Sequence, residues 1–447
     1  MKLNKKILAQ YNQPDTIAVV SLYPKRGEVY SSGVSGVASY TKNVIREMGH
    51  KVVVIADRIS EKNDAYEEEN SLVTRSWSGN HPKMWMEVLS VLRQLTKVRS
   101  LLIHFDFSMY GGMITSGLML IFLAITRLLG FEPAVVSHHV IKDVRKLSGQ
   151  VGLGVGLSSY IKAEVYNLAF KSFYTLLGKV ASKVIVLEEP LEEKLTGIIP
   201  IQKLTTIPHA VDNELVTPSK KQAKKRLGYA EDESVVMFFG YVNWFKGADF
   251  FAKAVKDIKK LNGKKVRFVM AGGESPTMKD KEFYQTFYRK IMKVVGESKN
   301  LELTGYVPQN EIADYFAAAD LVVFPYREFM CASGVMSLVF SYKKPFIVSD
   351  QLQLMLASAD LADGMKLVGL RSMDMTFLLN KSSLIEVMER VLENGLKNKM
   401  RKLALIMRKK RSFSTTAYLY SATLKPSPAI KSVNSAKDAL AYAKNTT

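Results

Sequence analysis

The 447-residue sequence has a single cysteine, Cys331. One cysteine excludes an intramolecular disulfide framework and fits a reducing compartment. A bilayer-length apolar run is also missing. The most apolar segment, residues 117–129, falls short of the roughly 20 residues a spanning helix needs. Arg127 interrupts it, and a buried helix is expected there. The apolar stretch after the basic start Met1-Lys-Leu-Asn-Lys-Lys is too short for a secretory signal. A cytoplasmic protein is therefore expected. Acidic residues are scarce, with 42 Asp and Glu against 63 Lys and Arg, giving a formal charge of +21. After Glu393 the only acid is Asp438. The chain has no Cys/His spacing for zinc and no RNA-binding signature, so nucleic acid is not an expected partner. A membrane surface or anionic substrates are the expected counterpart to the charge.

Short apolar runs alternate with helical patterns along most of the chain. In the first half these runs are residues 16–22, 51–56, 101–104, 133–140, 183–187 and 204–212. In the second half they are 235–239, 266–271, 301–304, 321–324 and 346–348. Such alternation predicts parallel sheets with helices on their faces, and the length suffices for two domains. The first domain is placed at 1–212 and the second at 213–395, beginning with a lysine-rich linker over 213–232. Helices are expected at 41–48, 85–95 and 160–181. The acidic stretch 64–70 reads as a loop, and the glycine-rich stretch 150–158 as a mobile one. Residues 396–424 form a strongly basic helical segment. It either crosses back to the first domain or offers a patch to anionic lipid, where each Lys or Arg contributes about 1 kcal/mol. Residues 425–447 read as a flexible tail.

Two stretches of the second domain carry candidate chemistry. Residues 321–350 read as strand, polar loop, helix and strand, with Cys331-Ala-Ser-Gly-Val335 opening the helix. Unpaired N–H groups and the positive end of the helix dipole make such a turn a phosphate site. An ordinary strand-to-helix turn with a Ser cap has the same pattern. Residues 235–249 repeat the arrangement, with Gly240 after the strand and Lys246-Gly247 before the next helix. A lysine placed there can reach a diphosphate as a point charge. Two such turns in one α/β domain point to a nucleotide-sugar site. In the first domain, His138 and His139 end a buried strand, where ligands bind in open α/β sheets. A hydrogen-bonded core histidine is the alternative there. Cys331 reads as a small loop residue near a ligand.

These motifs, with Ala271-Gly-Gly-Glu274, Leu303-Thr-Gly-Tyr-Val-Pro308 and residues 318–326, resemble the retaining GT-B glycosyltransferases of family 4. The resemblance covers roughly residues 15 to 400. It implies a GT-B fold, with two Rossmann-like domains facing each other across a cleft. It also implies transfer of a sugar, without a metal or cofactor, from UDP-sugar or GDP-sugar to a lipid-linked or glycan acceptor at the inner membrane face. By the resemblance Lys246 meets the leaving phosphate and His138 contacts the donor sugar, with His139 next in register. Gly33 and Gly36, Gly240, Gly247, Ser333, Gly334 and Val335 then line the donor, and Asp106 and His139 face the acceptor. Arg327 and Glu328 are candidates for further donor contacts. The sequence departs from the family at three places. Tyr241 stands where most relatives have Arg, and Met330 and Leu338 stand where many have Glu. Those departures leave a catalytically inactive nucleotide-sugar-binding or scaffold subunit as the alternative.

Overall fold

The computed structural model describes residues 2–29, 36–81, 83–154, 156–393 and 395–424. Two open sheets organise them. The first contains β1 Ile17–Ser21, β2 Val52–Asp57, β3 Asp64–Glu68, β4 Ser71–Trp77, β5 Ser100–Phe105, β6 Glu132–Ser137, β7 Lys183–Val186 and β8 Leu204–Thr206. Their order is β3-β4-β2-β1-β5-β6-β7-β8, parallel except for β3. The second contains β9 Ser234–Phe239, β10 Lys260–Leu261, β11 Lys264–Ala271, β12 Leu301–Leu303, β13 Leu321–Phe324, β14 Phe346–Ser349 and β15 Thr376–Phe377. Here β9 lies between β11 and β13, β14 and β15 follow β13, and β12 and the antiparallel β10 both pair with β11. The runs 52–56, 101–103, 235–238 and 321–324 are buried end to end, as expected for strands covered on both faces.

Each sheet reverses direction at its first strand. β1 lies between β2 and β5, and β9 lies between β11 and β13. Ligand crevices of open α/β sheets form at such points, beyond the carboxyl ends of the strands. In the second sheet the loops that open there are 240–247 and 325–333, which are the two turns singled out by their phosphate chemistry.

The acidic stretch 64–70 is not a loop. It forms edge strand β3, pairing Tyr66 with Val73 of β4. One of its acids is neutralised from elsewhere: Glu68 accepts from the buried Lys42 Nζ at 2.9 Å and from Gly27 N at 2.7 Å. The stretch 213–232 is likewise more than a linker. Its helix Lys220–Leu227, capped reciprocally by Ser219 and Gln222, packs on helix Gln309–Ala318 of the second domain. The glycine-rich stretch contains the end of helix Ser148–Val151 and lies against the other domain. A Cβ on Gly149 would run into the Trp244 indole, and one on Gly152 would stand 2.7 Å from Phe283.

The basic helix Leu396–Lys410 stays with the second domain, burying Met400, Leu403, Ala404 and Met407. Helix Phe413–Leu424 makes the return to the first sheet. There Tyr420 and Tyr40 share a hydroxyl contact of 3.2 Å, and Ser100 Oγ donates to the Leu424 carbonyl at 3.0 Å. Between the two helices Arg411 is fully engaged. It forks onto Glu188 of the first domain at 2.6 and 3.1 Å and onto Asp360 of the second at 2.6 and 2.8 Å. The tail 425–447 lies outside the described residues.

Candidate functional site

β9 ends at Phe239 and the chain turns at Gly240, with φ +109°. A Cβ there would stand 2.9 Å from Lys246 Nζ and 3.4 Å from Val335 Cγ2. The missing side chain therefore lets the lysine of one turn approach the helix that opens the other. Gly247, with φ +70°, starts helix Ala248–Val255, and a Cβ on it would run into the Pro325 carbonyl. This close passage holds the two turns together.

Lys246 is half buried, and burial lowers its amine from the ordinary lysine value. No carboxylate among the described residues lies within ion-pair distance of it. Ser333 caps helix Gly334–Ser341 by accepting from Met336 N at 3.3 Å, and Tyr326 OH lies 3.3 Å from the same Oγ. The N–H groups of Gly334 and Val335 have no backbone partner among the described residues. A lysine amine and a helix N-terminus, neither with a partner of these kinds among the described residues, thus lie side by side at one switch point, a combination suited to a diphosphate.

The first domain closes over this point. His139 pairs with Cys331 in an isolated antiparallel bridge, and Val140 N donates to the Met330 carbonyl at 2.8 Å. His139 Nδ1 forms an ion pair with Asp106 Oδ2. Burial alone would lower this imidazole, but the Asp106 carboxylate and the Cys331 sulfur outweigh it and hold it well above the usual range. Burial would likewise raise Asp106, but the His139 cation and two 2.7 Å bonds from Ser108 hold it well below the carboxylate range. Cys331 also lies within electrostatic reach of Lys246. Lys246 and the His139–Asp106 pair therefore flank one loop residue.

His138 is turned elsewhere. Its Nε2 meets His104 Nδ1 at 2.9 Å, and its ring meets Tyr40 edge-on at 5.8 Å. Tyr40 continues to His209 at 4.7 Å, and His209 Nδ1 meets Ser337 Oγ at 2.8 Å on the second domain's helix. Burial lowers His104 to about 3 and His209 to about 4, so both are neutral at ordinary pH. Gly36 is the first residue of helix Gly36–Glu47, which begins earlier than expected. Gly33 lies outside the described residues.

Residues 233–375 match the family model described as glycosyl transferases group 1. Over 137 residues the chain is 29% identical to D-inositol 3-phosphate glycosyltransferase 1 of Catenulispora acidiphila. That match covers 30% of this chain and 32% of the relative, so the chain spans about a third of the length of the curated relative it matches. Among solved structures, sucrose-phosphate synthase from Thermosynechococcus elongatus superposes with a TM-score of 0.64 at 14% identity, covering 92% of this chain and 98% of that one. Anabaena HepE in complex with UDP-glucose superposes with a TM-score of 0.61 at 14% identity, covering 92% and 99%. The chain has the GT-B fold.

In this GT-B chain two of the expected donor contacts have other partners. Arg327 donates from Nη1 and Nη2 to the two carboxylate oxygens of Asp249, at 2.6 and 3.0 Å, and from Nη1 to the Trp244 carbonyl at 2.7 Å. Its guanidinium lies 4.8 Å above the Trp244 ring. It braces the loop that carries Lys246. Glu328 accepts from Lys194 Nζ at 2.7 Å and lies 3.9 Å from Lys146, so it ties the second domain to the first. The Arg411 clasp went unread in the sequence because its partners lie 223 and 51 residues away. Two adjacent acids, Glu188 and Glu189, close after the apolar strand β7 were the available signal. Among the described residues no three His, Cys, Asp or Glu side chains converge as a metal site.

Proposed function

We propose that this protein is a retaining glycosyltransferase. It moves a sugar from a nucleoside diphosphate sugar to a lipid-linked or glycan acceptor at the cytoplasmic face of a membrane. One observation carries the reading: Lys246 Nζ, with no carboxylate partner among the described residues, and Val335 in the first turn of helix Gly334–Ser341 meet across Gly240 at the switch point of the second sheet. As the glycosidic bond breaks, negative charge grows on the β-phosphate. Fixed donors aimed at developing charge are commonly the largest single catalytic contribution. Lys246 supplies a charge there and the helix end supplies its dipole, so the reading needs no metal ion.

The His139–Asp106 pair stands on the first-domain wall opposite these groups, where it can orient sugar or acceptor hydroxyls. His138, bonded to His104, positions that wall from behind. A nucleotide-sugar donor is supported by the solved neighbour that holds UDP-glucose. The match to a D-inositol 3-phosphate glycosyltransferase supports transfer as the reaction class. Domain closure, already marked by the Glu328–Lys194 and His139–Cys331 contacts, would keep water from the reacting centre.

The test is to incubate purified protein with UDP- and GDP-sugars and a lipid extract, following nucleoside diphosphate release and product anomeric configuration by NMR. Release with one donor, an acceptor-dependent rate and a product of the donor's own configuration are expected. Donor binding without any transfer would instead favour the inactive scaffold suggested by Tyr241, Met330 and Leu338.

A further inference from the structure

We propose that the outer face of helices Met113–Leu128 and Leu157–Val180 is the surface by which this protein docks on an anionic lipid bilayer. The proposal rests on the membrane side of the functional reading above and assigns it a place. The two helices follow β5 and β6, and the chain steps in one direction from β5 to β6 to β7. Right-handed crossovers in one direction put both helices on the same face of the sheet. Their inner sides confirm this, because Met119, Phe122, Leu123, Phe173, Tyr174 and Leu177 share one core.

Their outer sides are apolar, and among the described residues nothing covers them. Ile114 is 80% exposed, Leu128 87%, Leu157 75% and Leu168 67%. Ile114, Ile121 and Leu128 recur every seven residues, on one stripe of the first helix. Leu157, Ile161, Val165 and Leu168 make a similar stripe on the second. Scattered exposed leucines are ordinary, but adjoining stripes on two packed helices form a patch that calls for a partner. No helix among the described residues is long and apolar enough to cross a membrane. An exposed apolar patch flanked by lysines can instead rest in the interface plane of an anionic bilayer.

Charge selects the occupant. Residues 113–180 carry seven Lys and Arg against three Asp and Glu. Two of those acids, Asp143 and Glu164, are already bound by Arg145 at 2.8 and 2.9 Å. Lys142, Lys146, Lys162 and Lys171 are exposed. A second copy would bring the same basic face and another +21 net charge against it, whereas anionic headgroups complement both the charge and the apolar stripes. A cavity of about 400 Å³, its four cations outnumbering two acids, opens at the edge of this surface, lined by Lys142, Asp143, Arg145, Lys146, Asn167, Lys194 and Glu328. Asn167 belongs to the docking helix and Glu328 to the second domain, so the cavity joins the membrane face to the interdomain cleft. The head of a lipid-linked acceptor would reach the cleft by this route.

The experiment is flotation of the full chain with vesicles of phosphatidylcholine alone or mixed with phosphatidylglycerol, at low and high salt. Wild type is expected to float with the anionic vesicles, at least tenfold better than with the neutral ones. Ile114→Ser with Leu168→Ser, both at exposed positions, should lower that affinity at least tenfold and leave the melting temperature and nucleotide-sugar titration unchanged. Unchanged flotation of this variant would overturn the proposal. So would loss of binding only on substituting Lys402 and Lys409 to Gln in helix Leu396–Lys410, which would move docking to that helix. A dimer in solution that the Ile114/Leu168 variant abolishes, with no vesicle binding by wild type, would assign the face to self-association and also overturn it. Vesicle binding without any nucleotide-sugar binding would contradict the donor reading and leave the docking surface standing.

Discussion

The amine of Lys246 stands 2.9 Å from the point a Cβ on residue 240 would occupy. Residue 240 must therefore be glycine for two reasons, its φ of +109° and the space the lysine fills. Gly240→Ala is expected to push the amine out of the crevice. Nucleotide-sugar affinity should fall at least tenfold, equivalent to about 1.4 kcal/mol, and a fluorescence titration checks this. Unchanged affinity would mean that the donor phosphates do not lie against this turn.

Arg327 is expected to act on the donor only through its grip on Asp249. Arg327→Ala and Asp249→Asn should weaken donor binding to similar extents, and the double variant should be no weaker than either. The same cycle in urea unfolding should give a coupling of about 1 kcal/mol, within the range for contacting, partly exposed pairs. Donor affinity that falls for Arg327→Ala alone would restore Arg327 as a direct contact.

This pair also marks how far sequence could be read. Most strands were legible because runs such as Val235–Phe238 and Leu321–Phe324 are apolar throughout, as a doubly covered parallel sheet demands, whereas β4, with Thr74, Arg75 and Ser76 in its middle, and the two-residue β10 and β15 were not. That the turns of Gly240, Lys246 and Ser333 are strand-to-helix turns was legible from glycine, lysine and serine beside a helix start, and the structure brings the two turns together. Arg327 and Glu328 were not. Their partners Asp249 and Lys194 lie 78 and 134 residues away, and no local pattern encodes such pairing. Strand β3 was missed for a related reason: the distant Lys42 neutralises Glu68 and makes an acidic strand tolerable at the sheet edge.

The histidines should titrate in contrasting ways. His139, held up by Asp106, should remain protonated at pH 7, while His104 and His209 stay neutral down to about pH 5. The stabilisation tied to protonated His139 is complete below its unfolded value near 6.5 and lost as pH rises through its higher folded value. That tied to Asp106 is present above about 4 and lost as pH falls through its depressed folded value. Both hold between about pH 4 and 6.5, so Asp106→Asn should destabilise more at pH 6 than at pH 9. Imidazole NMR shifts and urea melts check the two halves; a neutral His139 at pH 6 would contradict the pairing.

Arg411→Met should be among the most destabilising single changes in the chain. It leaves Glu188 and Asp360 buried together without their cation, and breaking such a group commonly costs about 3–5 kcal/mol. Because the two acids belong to different domains, small-angle scattering should also report a looser arrangement. Arg411→Met with Glu188→Gln and Asp360→Asn should recover part of the lost stability in urea melts.

The central claim is tested most directly by calorimetric titration of wild type and Lys246→Ala with UDP, GDP and their common sugar conjugates. Wild type is expected to bind conjugates of one base, and Lys246→Ala to lose at least tenfold in affinity while keeping its fold. Absence of binding by folded wild type to any of them, or binding that Lys246→Ala leaves untouched, would contradict a donor site at the Gly240–Lys246 turn.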